Sequence, residues 1–256
     1  MKVVTWNCNG ALRRKTSAIE RLDADLLIIQ ECEDPARSTK QYRDWAGDFL
    51  WHGVSKNKGI GVFARSHLTL EPLNWEADGL QSFLPCIVNK SFTLVSVWTK
   101  YANSPNFRYI GQLWKYLQKH KEQLADSSFL LCGDLNSNTC WDEWDRWWNH
   151  SDVVRELEEL GAFSLYHEFF GEEQGAETRP TLYHQKNLTK PYHVDYAFAT
   201  QTVWKLGTSP VVLGTHDEWL EFSDHMPLLF TINGVRKNGR RDPDDRVAHA
   251  TSLVSP

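Results

Sequence analysis

Ser223-Asp224-His225-Met226-Pro227-Leu228-Leu229-Phe230 joins a serine, an acid and a histidine to a strand-like apolar run. Other stretches repeat the design, with a polar group where an apolar run ends or begins. Asn7 closes Val3-Val4-Thr5-Trp6, and Glu31 closes Leu26-Leu27-Ile28-Ile29-Gln30. Asp134 and Asn136 follow Phe129-Leu130-Leu131-Cys132-Gly133, while Asp195 opens Tyr196-Ala197-Phe198-Ala199. Gly61–Ala64, Thr93–Trp98 and Pro227–Ile232 are further runs of the same kind. Their length and β-branched or aromatic content read as strands, some of them buried on both faces. Strand ends gathered on one edge of a rigid scaffold would bring distant polar groups together.

Three helices interrupt the runs. Ala11–Leu22 is amphipathic and links the first two strands. Ser104-Pro105 supplies an N-cap and first turn for Phe107–Leu124, whose stripe is Phe107, Ile110, Leu113, Trp114, Leu117 and Leu124. Ser151 caps Asp152–Leu160, which stops at Gly161. Helix-linked strands mixed with closely spaced ones imply packed sheets with helices outside, not an alternating βα barrel.

The 256 residues suit one large sandwich domain, expected over 1–233. Residues 234–256 lose the pattern and carry five basic and three acidic side chains, as a disordered tail or, less simply, a basic arm would. A net charge of −5 argues against a protein that coats nucleic acid, though not against a nuclease, because a bound cation reverses the local field. Five cysteines without a CxxC pair suggest neither a disulfide framework nor a zinc ribbon, and Cys8, Cys32 and Cys132 read as reduced core thiols. The chain opens on Lys2-Val3-Val4 without a signal peptide and has no run long enough to span a bilayer. A cytoplasmic protein with no membrane partner is expected, a monomer by default.

The polar residues suit phosphoryl chemistry. Glu31 and Asn7 offer hard oxygen ligands for Mg²⁺ or Mn²⁺, ions that keep several waters and need few protein donors. Asp134 is placed to orient or deprotonate a water, and Asn136, two residues on along the same strand-like face, to donate to a phosphate oxygen. His225 is an acid or base at neutral pH, with Asp195 as the carboxylate that fixes its tautomer. Taken singly, each has a plain alternative: a solvated Glu31, an ordinary Gly133-Asp134-Leu135-Asn136 turn, a satisfied His225. Five such motifs coinciding favour a site.

These stretches resemble the endonuclease/exonuclease/phosphatase superfamily, over about residues 2–232. Gly133-Asp134-Leu135-Asn136-Ser137 and Ser223-Asp224-His225-Met226-Pro227 are the most specific, supported by Trp6-Asn7-Cys8-Asn9-Gly10, Gln30-Glu31 and Gly59-Ile60-Gly61-Val62. The resemblance implies a four-layer α/β sandwich, two packed, mostly antiparallel β-sheets flanked by helices. It implies metal binding at Glu31, with Asn7 nearby and Asp224 at the site's edge. It also implies water activation at Asp134, phosphate contact at Asn136, and a His225–Asp195 pair at the scissile phosphate.

Where the family usually carries a tyrosine or histidine that reaches the phosphate, this chain has Trp98, which has neither a hydroxyl nor a basic nitrogen. Thr99, Lys100 and Tyr101 are candidate substitutes. Glu31-Cys32-Glu33 departs from the Thr-Lys that follows the glutamate in abasic-site endonucleases, and argues against that dedicated role. Tyr183 and His184 border either the phosphate cleft or a plain surface loop, while Lys56, Lys58, Lys100 and Arg179 are candidates for phosphate contact. Trp141, Trp144, Trp147 and Trp148 would share one helical face. Such a face either packs the helix onto the sandwich, the favoured reading, or stacks unpaired bases.

The expected function is a Mg²⁺- or Mn²⁺-dependent phosphodiesterase, a nuclease acting on DNA or RNA. The alternatives are a phosphomonoesterase or lipid/inositol-phosphate phosphatase on the same site, and a catalytically silent binding domain.

Overall fold

Along the long apolar runs, alternate residues face two different cores. Val3, Leu26, Ile28, Leu94, Leu130, Cys132 and Ala197 lie in one cluster. Their neighbours Val95, Leu131, Tyr196 and Phe198 lie in a second, and Val4, Leu27 and Ile29 in a third. Successive strand side chains point to opposite faces, so a strand covered on both sides reads as unbroken apolar sequence.

The computed structural model describes residues 1–65, 67–76, 78–101, 106–204 and 210–232. The Ser104-Pro105 helix start and the 234–256 tail lie outside them. The strands are β1 (Lys2–Asn7), β2 (Leu26–Cys32), β3 (Asp48–Ser55), β4 (Lys58–Ala64), β5 (Leu70–Pro72), β6 (Phe83–Val88) and β7 (Phe92–Trp98). They continue as β8 (Phe129–Asp134), β9 (Ala162–Ser164), β10 (Leu182–Tyr183), β11 (Pro191–Tyr192), β12 (Asp195–Thr200), β13 (Val211–Leu213) and β14 (Leu228–Thr231). The helices are α1 (Thr16–Glu20), α2 (Lys40–Ala46), α3 (Ile110–Ala125), α4 (His150–Glu159), α5 (Leu165–Phe170) and α6 (His216–Trp219).

Two six-stranded sheets run β13-β14-β1-β2-β4-β3 and β5-β6-β7-β8-β12-β9. Only β1–β2 and β7–β8 pair in parallel; the remaining neighbours are antiparallel. The first cluster fills the space between the sheets. The second joins the outer face of one sheet to Leu113, Tyr116, Leu117, Val153 and Leu157 of α3 and α4. The third joins the other sheet to Ala18, Ile19, Tyr42, Ala46 and Trp219. These are the four layers of the expected sandwich. No helix among the described residues is long and apolar enough to cross a membrane.

Several local expectations need correction. Ala11–Leu22 is not one helix: Ala11 is left-handed, Leu12–Arg14 forms a 3₁₀ turn, and α1 starts at Thr16. Glu33 imposes the break, accepting from the Leu12 amide at 2.8 Å and pairing with Arg13. Asn149, not Ser151, caps α4, its amide bonded to the Asp152 carboxylate at 2.8 Å. The tryptophan segment is not a helix either. Only Thr139–Trp141 makes a 3₁₀ turn, and bends follow to residue 149.

Candidate active site

The two parallel pairs decide where the polar groups meet. Asn7 ends β1 opposite Gln30 of β2. Trp98 ends β7 opposite Asp134 of β8, and Asp195 opens antiparallel β12 opposite the same Asp134. β14 begins beside the end of β1, with Thr5 opposite Leu228. Strand ends of both sheets therefore share one rim.

Asp134 is at its centre, fully buried. Its Oδ2 accepts from Asn7 Nδ2 and from Asn136 Nδ2, each at 2.8 Å, and its Oδ1 accepts from the Asn136 amide at 2.8 Å. The tight approach depends on Gly133 (φ +144°), where a β-carbon would sit 1.9 Å from the Val97 carbonyl oxygen. Asn136 does not share a strand face with Asp134. The strand ends at Asp134, and a left-handed Asn136 (φ 44°) folds its amide back while also donating to the Thr99 carbonyl at 2.9 Å.

His225 Nδ1 lies 2.8 Å from Asp195 Oδ2, and Nε2 lies 4.0 Å from Asp134 Oδ2. The histidine is anchored through its backbone: its amide donates to Ser223 Oγ at 3.0 Å, Ser223 Oγ donates to the Asn7 carbonyl at 2.7 Å, and Trp6 Nε1 donates to the His225 carbonyl at 2.9 Å. Burial opposes the charged imidazolium, but Asp195 and then Asp134 outweigh it and raise His225 to about 10. Burial likewise pushes the Asp134 carboxyl up to about 7, against the pull of His225 and the Asn7 and Asn136 hydrogen bonds.

Glu31 sits on a β-bulge between Gln30 and Cys32 with φ 60°, which turns its carboxylate away from the core face. Its Oε1 is 3.4 Å from Asn7 Nδ2, and its Oε2 is 2.5 Å from Lys58 Nζ. Asn7 Nδ2 thus spans Glu31 and Asp134, which puts Glu31 and His225 on the same rim. Asp224 Oδ1 is held by Asn9 Nδ2 at 2.9 Å, and the Asn9 amide donates to Asn7 Oδ1 at 3.0 Å.

Two sets of residues could hold a cation. Asp134, Asp195 and His225 offer ligand atoms within 4.8 Å of one another. His225 Nδ1 is already bonded to Asp195 and the Asp134 oxygens to Asn7 and Asn136, however, and a histidine held charged is a poor ligand. Glu31, Asn7 and Asp224 are all-oxygen donors at a more open edge, and the Lys58 ammonium on Glu31 shows that this carboxylate attracts positive charge. Such a donor set fits a hard, hydrated divalent ion.

A family model for the endonuclease/exonuclease/phosphatase family matches residues 4–225. The chain belongs to that family. Members of the endonuclease/exonuclease/phosphatase family hydrolyse phosphoric esters and generally use divalent metals, and this chain is an enzyme of that class. Among solved structures, it resembles the 3′-5′ exonuclease NExo from Neisseria meningitidis (TM-score 0.67, 16% identity, 91% of this chain and 100% of that one covered). A 3′ phosphatase form of NExo bound to a product DNA hairpin gives TM-score 0.66 at 15% identity, covering 91% and 100%. An AP endonuclease from Archaeoglobus fulgidus gives 0.65 at 17% identity, again covering 91% and 100%. No curated protein matches the chain.

Trp98 is 8% exposed and packs between the sheets, with Lys100 Nζ 4.7 Å from its ring centre. Lys100 is half-buried, and desolvation lowers its pKa against the raising effect of Glu31. Tyr101 is exposed, with the Arg108 guanidinium 4.3 Å over its ring. The Tyr183 amide donates to the Asp224 carbonyl at 2.8 Å, which brings this residue to the rim, whereas its ring packs edge-on against His216. His184 is exposed, and its backbone bonds to Lys190 and Asn187. Arg179 is tied to Glu172, and its guanidinium lies 3.9 Å over Phe170.

Sequence reasoning passed over Thr181, whose hydroxyl accepts from the Val194 and Asp195 amides at 2.9 and 3.0 Å and so aims Asp195. A lone threonine before Leu182-Tyr183 carries no signal. Asn9 lay inside a quoted motif, and the Asn9-Gly10 pair, both with positive φ, marks the turn that swings it to Asp224.

Proposed function

We propose that this chain is a Mg²⁺- or Mn²⁺-dependent phosphodiesterase that cleaves nucleic acid by attack of water on the phosphorus. The Asp134–His225–Asp195 constellation carries the reading: a buried acid with a raised pKa faces a histidine that a second buried acid holds in one orientation. Asp134 orients and deprotonates the attacking water. His225, charged through Asp195, donates to the phosphate, and Asn136 binds another of its oxygens. Glu31, Asn7 and Asp224 would hold a divalent ion, which would supply charge neutralisation at the phosphate.

The names of the similar structures, an exonuclease, an AP endonuclease and a DNA-bound 3′ phosphatase, support a nucleic-acid substrate. Purified protein should cleave at least one of plasmid, single-stranded DNA and RNA with Mg²⁺ or Mn²⁺, and none with EDTA. It should also turn over bis-p-nitrophenyl phosphate faster than the monoester. The reverse preference would make it a phosphomonoesterase on the same site, and no turnover of any of these would sink the proposal.

A further inference from the structure

A cavity of about 870 Å³ opens beside Asn136 and Ser137 and is floored by the tryptophan segment. That is within the roughly 300–1,000 Å³ of small-ligand pockets. Its walls are Phe107, Tyr109, Trp141, Trp147 and Trp148. The segment is braced from behind. Asn149, itself buried, accepts from the Glu143 amide at 2.9 Å and donates to the Glu143 and Arg146 carbonyls at 2.9 and 2.7 Å. Asp142 is fixed as well, accepting from the His150 and Ser151 amides at 2.8 and 3.1 Å.

On this brace the four rings divide. Trp148 is covered by Phe107 (5.3 Å between centroids) and by the Arg146 guanidinium at 4.5 Å, and Trp141 leans on Tyr192 at 5.1 Å. Trp144 and Trp147 are 97% and 66% exposed, and no ring or cation among the described residues covers either. Packing accounts for Trp148 alone. Leaving two indoles in water on a hydrogen-bonded loop, one of them on the wall of a cavity that reaches Asn136, is unfavourable without a ligand.

Charge narrows the ligand. The cavity has two arginines against Asp142, Glu143 and Asp145; Glu143 is paired to Arg146, and Arg108 is stacked on Tyr101. Three acids against two arginines do not track a phosphate backbone, whereas the aromatic walls suit a planar ring, with Asp145 as an acceptor for ring or exocyclic N–H groups. We infer that Trp147 on the cavity wall, with Trp144 exposed three residues before it, forms a stacking platform for unpaired nucleobases flanking the scissile phosphate, so the enzyme engages single-stranded or frayed DNA or RNA. This rests on the nucleic-acid reading above and adds base recognition to it.

The test is binding in EDTA, read by anisotropy of two fluorescein-labelled 12-mers with equal phosphate counts. One is oligo(dT), the other the same backbone with tetrahydrofuran in place of every base. Wild-type protein should prefer the base-bearing strand by more than tenfold, with quenching of intrinsic tryptophan fluorescence. W144A/W147A should bind oligo(dT) about 5- to 150-fold more weakly per stack lost and lose the preference, whereas W147Y should keep most of it. Equal affinity of the wild-type protein for both strands, a preference unmoved in the double variant, or no binding to either strand would overturn the inference. Plasmid cleavage with Mg²⁺ separates the two claims. Cleavage without base preference removes only the platform, and base preference without cleavage of any nucleic acid removes only the nuclease reading.

Discussion

Asp195→Asn should separate stability from activity. The Asp195 carboxylate is 1% exposed; Oδ2 bonds His225 Nδ1 at 2.8 Å, while Oδ1 has no hydrogen-bond partner among the described residues. An amide keeps the shape and removes the charge. The fold loses one charge-assisted hydrogen bond, about 1.5–3 kcal/mol, but is relieved of a buried carboxylate whose desolvation is of similar or larger size. A neutral imidazole can still donate from Nδ1 to the Asn Oδ1, so the net stability change should lie within about 1 kcal/mol. Catalysis has no such compensation, because the imidazolium is held charged chiefly by Asp195 against burial. Loss of a positioned acid is worth about 10²- to 10⁴-fold in rate, or about 3–5 kcal/mol. The assay is kcat on bis-p-nitrophenyl phosphate at saturating Mg²⁺, alongside a thermal melt. Turnover within tenfold of wild type in a normally folded variant would refute the assigned role of the pair.

Gly133→Ala should destabilise the fold by about 2–6 kcal/mol, combining strain at φ +144° with a clash against the Val97 carbonyl; a Tm drop below about 4 °C would contradict this. His150 is buried, and burial lowers it from 6.5 to about 4. The unfolded chain therefore takes up this proton below about pH 6.5 and the folded chain only near 4, so stability should fall by up to about 3 kcal/mol as pH drops through that window. Urea titrations at pH 7 and 4.5 measure the loss, and His150→Phe should flatten it; an equal slope in the variant would point elsewhere. Glu31→Gln should weaken Mn²⁺ binding, measured by calorimetry, by at least the about 10- to 100-fold typical of groups behind a metal ligand. Unchanged Mn²⁺ affinity would place the ion on other residues.

The chain alone marked which polar residues the strands bring to one rim, and which strands hold them. Asn7, Glu31, Asp134, Asp195 and Asp224-His225 stood out because strands buried on both faces read as apolar runs, and these acids, amides and the histidine sit where the runs end or begin. The same period-two burial made the double-sheet architecture readable. Edge and irregular strands escaped notice: β3 is half exposed, and β6 carries Pro85 within its run. Only the tertiary structure decided the rest. Helix spacing put four tryptophans on one face, but Asn149 and Asp142 bond the backbone around them into a loop that turns Trp144 and Trp147 to solvent. Local spacing put Asn136 on a strand, yet a left-handed turn delivers it to Asp134. Thr181 aims Asp195 across a gap of 14 residues, and Asn9 reaches Asp224 across 215. Periodicity reports which side of an element is buried; hydrogen bonds between residues distant in the chain exist only after the strands have paired.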